Sequence, residues 1–141
     1  MATFNRYDIF SENLAKKVHD FRAAGDTLNV LLSNTAPNAA THAVKADASE
    51  ISAGNGYTAG GADTQNDISR SGAVTSVTGV DITFTASGGP IGPFRYAILY
   101  DDTPTSPADP LIGWWDYGSS VTLLNGEQFV VDFGASMFTV G

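Results

Sequence analysis

Tyr7, Phe10, Leu14, Val18 and Phe21 recur at steps of three and four residues, which lines them up on one face of a helix, whereas Glu12, Lys16, Lys17 and Asp20 fall elsewhere. The spacing predicts one N-terminal amphipathic helix over residues 8–22, capped at its start by Asp8 or Ser11. Its end is expected at Gly25, because glycine takes up a left-handed C-terminal conformation without steric cost. The apolar run Leu28, Val30, Leu31 and Leu32 follows, bounded by Asp26 and a turn at Asn34 to Pro37, and reads as a buried strand over residues 27–32.

Between Asn38 and Gly72 the large apolar residues thin out to Val44, Ile51, Tyr57 and Ile68, which predicts a long irregular loop over residues 38–72 and makes it a candidate interaction arm. After Gly72 the texture becomes that of short strands separated by turns. Val80, Ile82 and Phe84 alternate with Asp81, Thr83 and Thr85, while Phe94 to Tyr100 and Leu111 to Tyr117 are apolar on both faces. Val121, Leu123, Phe129, Val131 and Phe133 suggest a hairpin turned at Asn125-Gly126, and Met137 to Val140 a last short strand. With a weaker strand at Ala73 to Val77, about eight strands result, which suits a jelly-roll-like two-sheet β-sandwich.

The chain has 141 residues, enough for a single β-sandwich domain over residues 1–141 and no second core. A formal charge of −8 argues against nucleic acid or an anionic membrane surface as partner. The mixed charges of the helix, including Arg6, Lys16, Lys17 and Arg22, hint at an acidic partner but read first as a solvated face. With no cysteine, thiolate metal sites, disulfides and cysteine nucleophiles are excluded. The N-terminal dozen residues carry Arg6, Asp8 and Glu12 where a secretory signal would be apolar, and no window is apolar enough to span a bilayer, so a soluble protein is expected.

Candidate chemistry is sparse. His19 and His42 have nothing at metal-ligand spacing around them, and His19 reads as a solvated helix residue. Ser11, Ser119 and Ser120 lack a nucleophile elbow, and Gly54 to Gly61 lacks the strand, helix and lysine of a phosphate loop and reads as a tight turn packed by Tyr57. Asp101, Asp102 and Asp109 match no calcium motif and read as solvated loop carboxylates. Asp116 and Asp132 could serve a glycosidase only if the fold set them across a cleft. The inventory therefore predicts no catalysis, no cofactor and no metal.

Tyr57, Trp114, Trp115 and Tyr117 are the candidate partner-binding residues, because aromatic side chains on a β-sandwich can stack on sugar rings or anchor a protein interface. Trp114 and Trp115 are adjacent, so strand alternation puts at most one in the core; the other would lie under the helix face of Phe10, Leu14 and Val18, under the long loop, or against a neighbouring subunit. Edge strands that need protection favour a homo-oligomer, most simply a dimer.

The stretches Gly54-Asn55-Gly56-Tyr57-Thr58-Ala59-Gly60-Gly61, Gly92-Pro93-Phe94-Arg95-Tyr96-Ala97-Ile98-Leu99-Tyr100 and Asp109-Pro110-Leu111-Ile112-Gly113-Trp114-Trp115-Asp116-Tyr117-Gly118 together resemble the capsid decoration or cement proteins of tailed bacteriophages. That resemblance spans most of the chain and carries no site motif. It implies a non-enzymatic virion protein that binds the outer surface of an icosahedral phage head and braces adjacent capsomers, with the major capsid protein as partner. The alternative is a carbohydrate-binding or receptor-binding virion module that stacks Trp114 or Trp115 on glycans.

Overall fold

A strand that is apolar toward both faces has to lie inside a sheet that is covered twice. The computed structural model, which describes residues 2–141, builds the chain around such a strand. Numbered in chain order, the strands are β1 (Phe4–Arg6), β2 (Leu28–Ser33), β3 (Ala62–Asp63), β4 (Asp67–Ser71), β5 (Val74–Thr78), β6 (Ile82–Thr85), β7 (Ile91–Asp101), β8 (Leu111–Leu123), β9 (Gln128–Val131) and β10 (Phe138–Val140). Helix α1 (Ile9–Ala15) lies between β1 and β2, and a short 3-10 turn occupies Lys45–Asp47. Five strands pair in the order β1-β8-β7-β2-β3, three as β10-β5-β4 and two as β6-β9, all antiparallel. The protein is mainly β with several antiparallel sheets, consistent with a β-sandwich. No helix among the described residues is long and apolar enough to cross a membrane.

β7 sits between β8 and β2, and its alternation sorts the interior into two clusters. Ala97 and Leu99 join Val30, Leu32, Ile112 and Trp115 in the main core, which Val77 and Phe138 close from one small sheet and Ile82, Phe84 and Val131 from the other. Tyr96, Ile98 and Tyr100 point the opposite way, with Leu31 and Leu111, and are covered by Tyr7 and Ala48. Ile112 and Trp115 share a face although they lie three residues apart, because the pairing slips between Leu99 opposite Gly113 and Tyr100 opposite Leu111 and makes Ile112 an extra residue.

The helix expected over residues 8–22 stops at Ala15. Lys17 adopts φ 63°, the Val18 N–H bonds the Asn13 carbonyl at 3.0 Å and the Lys17 N–H bonds that of Leu14 at 3.1 Å. This is a Schellman termination with lysine in the position usually held by glycine, so the residue type that would signal it is missing. Neither expected cap side chain bonds a free N–H: Asp8 is the N-cap without a side-chain bond, and Ser11 Oγ donates to the Asp8 carbonyl at 3.2 Å. Phe10 and Phe21 nevertheless meet, 6.0 Å apart, because the chain folds back after the helix.

The Asn125-Gly126 turn exists but does not make a hairpin. Only Gly126 has positive φ, at 90°, and the Glu127 N–H bonds the Leu124 carbonyl at 2.8 Å, so this is a type II turn, whose twist splays the flanking strands. β9 accordingly leaves β8 and pairs with β6. The twist that suits a hairpin occurs at Asn55-Gly56, where both residues have positive φ, 56° and 98°, and Gly54 and Tyr57 exchange backbone bonds of 2.8 and 3.0 Å. β8 also runs unbroken through residues 111–123, where two strands were expected, and β1, β3 and β4 are additional.

The segment over residues 38–72 is less irregular than its composition predicts. It contains β3 and β4 and buries Tyr57, Ala48, Thr64 and Asn66. Glu50 accepts hydrogen bonds from the Tyr57 hydroxyl and the Gly60 N–H, each at 2.6 Å, and the Tyr100 hydroxyl donates to the Gly60 carbonyl at 2.6 Å. β4 was invisible in the sequence because all five of its residues are exposed, which removes the alternation that marks a strand.

Phe10 is fully buried and meets Phe138 edge-on with ring centroids 5.5 Å apart. Phe10→Ala is expected to lower the unfolding free energy by about 3–5 kcal/mol in urea titrations.

Candidate functional site

Residues 18–26 form no helix or strand, so polar ties set their course. Asp26 Oδ2 accepts from the Asp20 N–H at 3.0 Å while the Asp26 N–H returns to the Asp20 carbonyl at 2.7 Å, closing the loop on itself. Arg22 donates to the Asp20 carboxylate, which its guanidinium holds at about 2. Buried Asn66 then pins the loop to β2: its Oδ1 accepts from the Leu28 N–H at 3.0 Å and its Nδ2 donates to the carbonyls of Phe21 and Asp26 at 3.0 and 3.1 Å.

That course delivers His19 to the end of β7. Its Nδ1 lies 2.8 Å from Asp101 Oδ2, with both side chains 0% exposed. The ring stacks on Phe21 at 5.2 Å and tilts against Phe10 at 5.5 Å, and its Nε2 is buried without a hydrogen-bond partner. Asp101 Oδ1 accepts from the Thr103 N–H at 3.2 Å. Donor atoms of His19, Asp26 and Asp101 all lie within 4.8 Å of one another, so these residues could hold a metal ion.

Burial sets the protonation here. It pushes His19 down to about 4, against the opposing charge of Asp26, and pushes Asp101 up to about 9, reinforced by the hydrogen-bonding Asp26 carboxyl. Both shifts run toward the uncharged forms, so burial favours a neutral hydrogen bond over an ion pair at this contact. Two expectations are corrected: His19 is no solvated helix residue, because the helix has already ended, and Asp101 is no solvated loop carboxylate. As the last residue of β7, Asp101 shares the face of Ala97 and Leu99 and is carried into the main core.

Beside this cluster opens a cleft of about 540 Å³. Leu14, Val18, Phe21, Ile68, Val77 and Val140 supply its apolar lining, exposed Lys17 and Arg22 border it, and His19 and Asp26 also face it. Its far wall ends at β4, the free edge of the β10-β5-β4 sheet, where Ile68 is 40% exposed.

The four expected partner-binding aromatics lie elsewhere and are not gathered together. Tyr57 is buried, donates to Glu50 and accepts from the Leu32 N–H at 3.0 Å, and burial raises its hydroxyl far above the ordinary value. Trp115 is buried in the main core, as alternation predicted for one of the pair. Trp114 is half-buried, covered by Tyr7 at 4.7 Å and by Ile9, and not by Phe10, Leu14 and Val18, which face the other side of the sheet. Tyr117 is half-buried edge-on to Phe129 at 4.9 Å. Asp116 is gripped by Arg95 through bonds of 2.8 and 3.1 Å, which hold it below the usual carboxylate range and leave it no proton to donate. Asp132 accepts from the Gly134 N–H at 2.8 Å.

Removing the Asn66 amide leaves two buried backbone groups, the Leu28 N–H and the Phe21 carbonyl, and the part-buried Asp26 carbonyl without this partner, so Asn66→Ala is expected to cost roughly 2–5 kcal/mol of stability, read from urea unfolding. Titration of the cluster gives a second expectation. Asp101 is raised above its ordinary 3.8, so its contribution to stability is lost as pH climbs toward about 9. His19 is lowered below its ordinary 6.5, so its contribution is intact above 6.5 and lost as pH falls toward about 4. The two slopes oppose each other between about 4 and 6.5, and from about 6.5 to about 9 that of Asp101 acts alone. Stability in chelator-containing buffer should therefore decline across that upper window, by at most about 1.4 kcal/mol per pH unit, and Asp101→Asn should flatten the decline.

Comparison with known proteins brings no relative to this geometry: no protein-family model matches the chain, and no curated protein or solved structure is detectably similar to it.

Proposed function

We propose that the protein is a non-enzymatic virion structural protein, a cement or decoration protein that binds the outer surface of an icosahedral phage head and stabilises contacts between capsomers. The observation that carries this reading is the free edge of β4 beside the apolar cleft. An unpaired edge offers backbone groups for strand pairing, and exposed Ile68 on it offers apolar area that gains from being covered. Such a surface needs only modest affinity for the major capsid protein when many copies act on one shell. The resemblance of the Gly54, Gly92 and Asp109 stretches to phage decoration proteins points the same way.

The jelly-roll arrangement belongs to this proposal, supported by the single main core that all three antiparallel sheets share. So do the homo-oligomer, with a dimer the simplest closed form, a place on the capsid exterior, and partners that include neither nucleic acid nor membrane. The glycan-binding alternative would have to use Trp114, which Tyr7 half covers.

Capsids assembled with the protein are expected to rupture at a higher temperature than capsids without it, because a ligand of the assembled state stabilises that state by mass action. Ile68→Lys, at an exposed position, should abolish the gain while leaving the circular dichroism spectrum unchanged. Equal rupture temperatures, together with retention on a glycan array, would replace this reading with the carbohydrate-binding one.

A further inference from the structure

His19, Asp26 and Asp101 come from the loop after α1, the approach to β2 and the end of β7, and the fold draws their donor atoms together where little solvent reaches. Carboxylate oxygens of Asp26 and Asp101 lie within 4.8 Å of each other. Among the described residues, no lysine or arginine forms an ion pair with either. Buried carboxylates need a counter-charge or a proton, and the imidazole presents its Nδ1 to them from a fully buried side chain.

We infer that His19, Asp26 and Asp101 form a binding site for one divalent transition-metal cation, with an imidazole nitrogen and two carboxylate oxygens as ligands. The donor set selects the class of ion. One nitrogen and two oxygens suit Zn²⁺, and less tightly Mn²⁺, whereas Ca²⁺ takes six to eight oxygens. The spacing fits too: ligand atoms about 2.0–2.1 Å from a shared ion stand roughly 2.9–3.4 Å apart. The 2.8 Å between Nδ1 of His19 and Oδ2 of Asp101 needs to open by only a few tenths of an ångström.

Charge and access are accounted for as well. On binding, a proton held among these ligands leaves to solvent, and the two ionised carboxylates match the charge of the cation, so the filled site is neutral. His19 and Asp26 both face the cleft, which gives the ion its way in. The bound ion would fasten residues 19–26, one wall of the cleft, to the end of β7. This site stands on its own geometry and does not depend on the protein decorating a shell.

The test uses the full chain, stripped of metal with a chelator and titrated calorimetrically with Zn²⁺. One ion per chain is expected, and at a 100-fold excess over Kd the unfolding midpoint should rise by about 5–10 °C. Ca²⁺ at the same concentration should do neither. Asp26→Asn keeps an oxygen to accept the Asp20 N–H and should retain the native circular dichroism spectrum while losing at least tenfold in Zn²⁺ affinity. His19→Gln should lose affinity likewise, and His42→Gln should bind as the parent does. The inference is overturned if the stripped protein shows no saturable Zn²⁺ binding, if Asp26→Asn binds as tightly as the parent, or if His42→Gln loses as much as His19→Gln. Should His19→Gln fail to fold, the parent and Asp26→Asn decide the matter.

Discussion

Burial of β7 on both faces is the constraint from which the rest of the architecture follows. A sheet that is apolar on one side can leave the other to water, but Tyr96, Ile98 and Tyr100 on one face and Ala97 and Leu99 on the other each need a covering layer. The two small sheets cover one face. Tyr7 and Ala48, from segments with little regular structure, help cover the other, which is why so much irregular chain is ordered in a protein of this size. The same strand explains the buried carboxylate: β7 stays inside to its last residue, and that residue is Asp101.

Covering a sheet with irregular chain exposes the backbone to a penalty that helices and strands avoid, since buried N–H and C=O groups must still find partners. Side chains meet this need at a few points. Asn66 serves three backbone groups at the start of β2, and Glu50 with Tyr57 and Tyr100 clamps the glycine-rich turn. Glycine is needed where that turn touches the sheet: Gly61 has φ 79°, and a β-carbon there would collide with the Val30 carbonyl. The polar composition of residues 38–72 thus supplies the hydrogen bonds that let the segment lie against an apolar sheet.

What the sequence revealed and concealed divides along the same line. Periodicity identified β2, β6, β7 and the first half of β8, and alternation allowed only one of Trp114 and Trp115 in the core without saying which, because those elements bury a face. It failed where geometry depends on a few dihedrals or on distant partners. A lysine at φ 63° ended α1 without a glycine, and an Asn-Gly pair with one positive φ made a corner where two would have made a hairpin. The cluster of His19, Asp26 and Asp101 has no sequence spacing to betray it. Its one readable trace was an aspartate directly following a two-sided apolar run.

These features converge on one corner of the molecule. The outer face of the five-stranded sheet is closed by the protein's own chain over β7, and Trp114 is partly spent in that closure. The β4 edge, the apolar cleft and the His–Asp–Asp cluster lie together on the side that remains open. A partner seated on this side would cover Ile68 and the mouth of the cleft that His19 and Asp26 line. Docking and exchange of a proton or cation at the cluster would then be linked, each changing the free energy of the other by the same amount. The loop over residues 18–26 is the physical carrier of that linkage, because one side of it forms the cleft wall and the other holds the imidazole against Asp101.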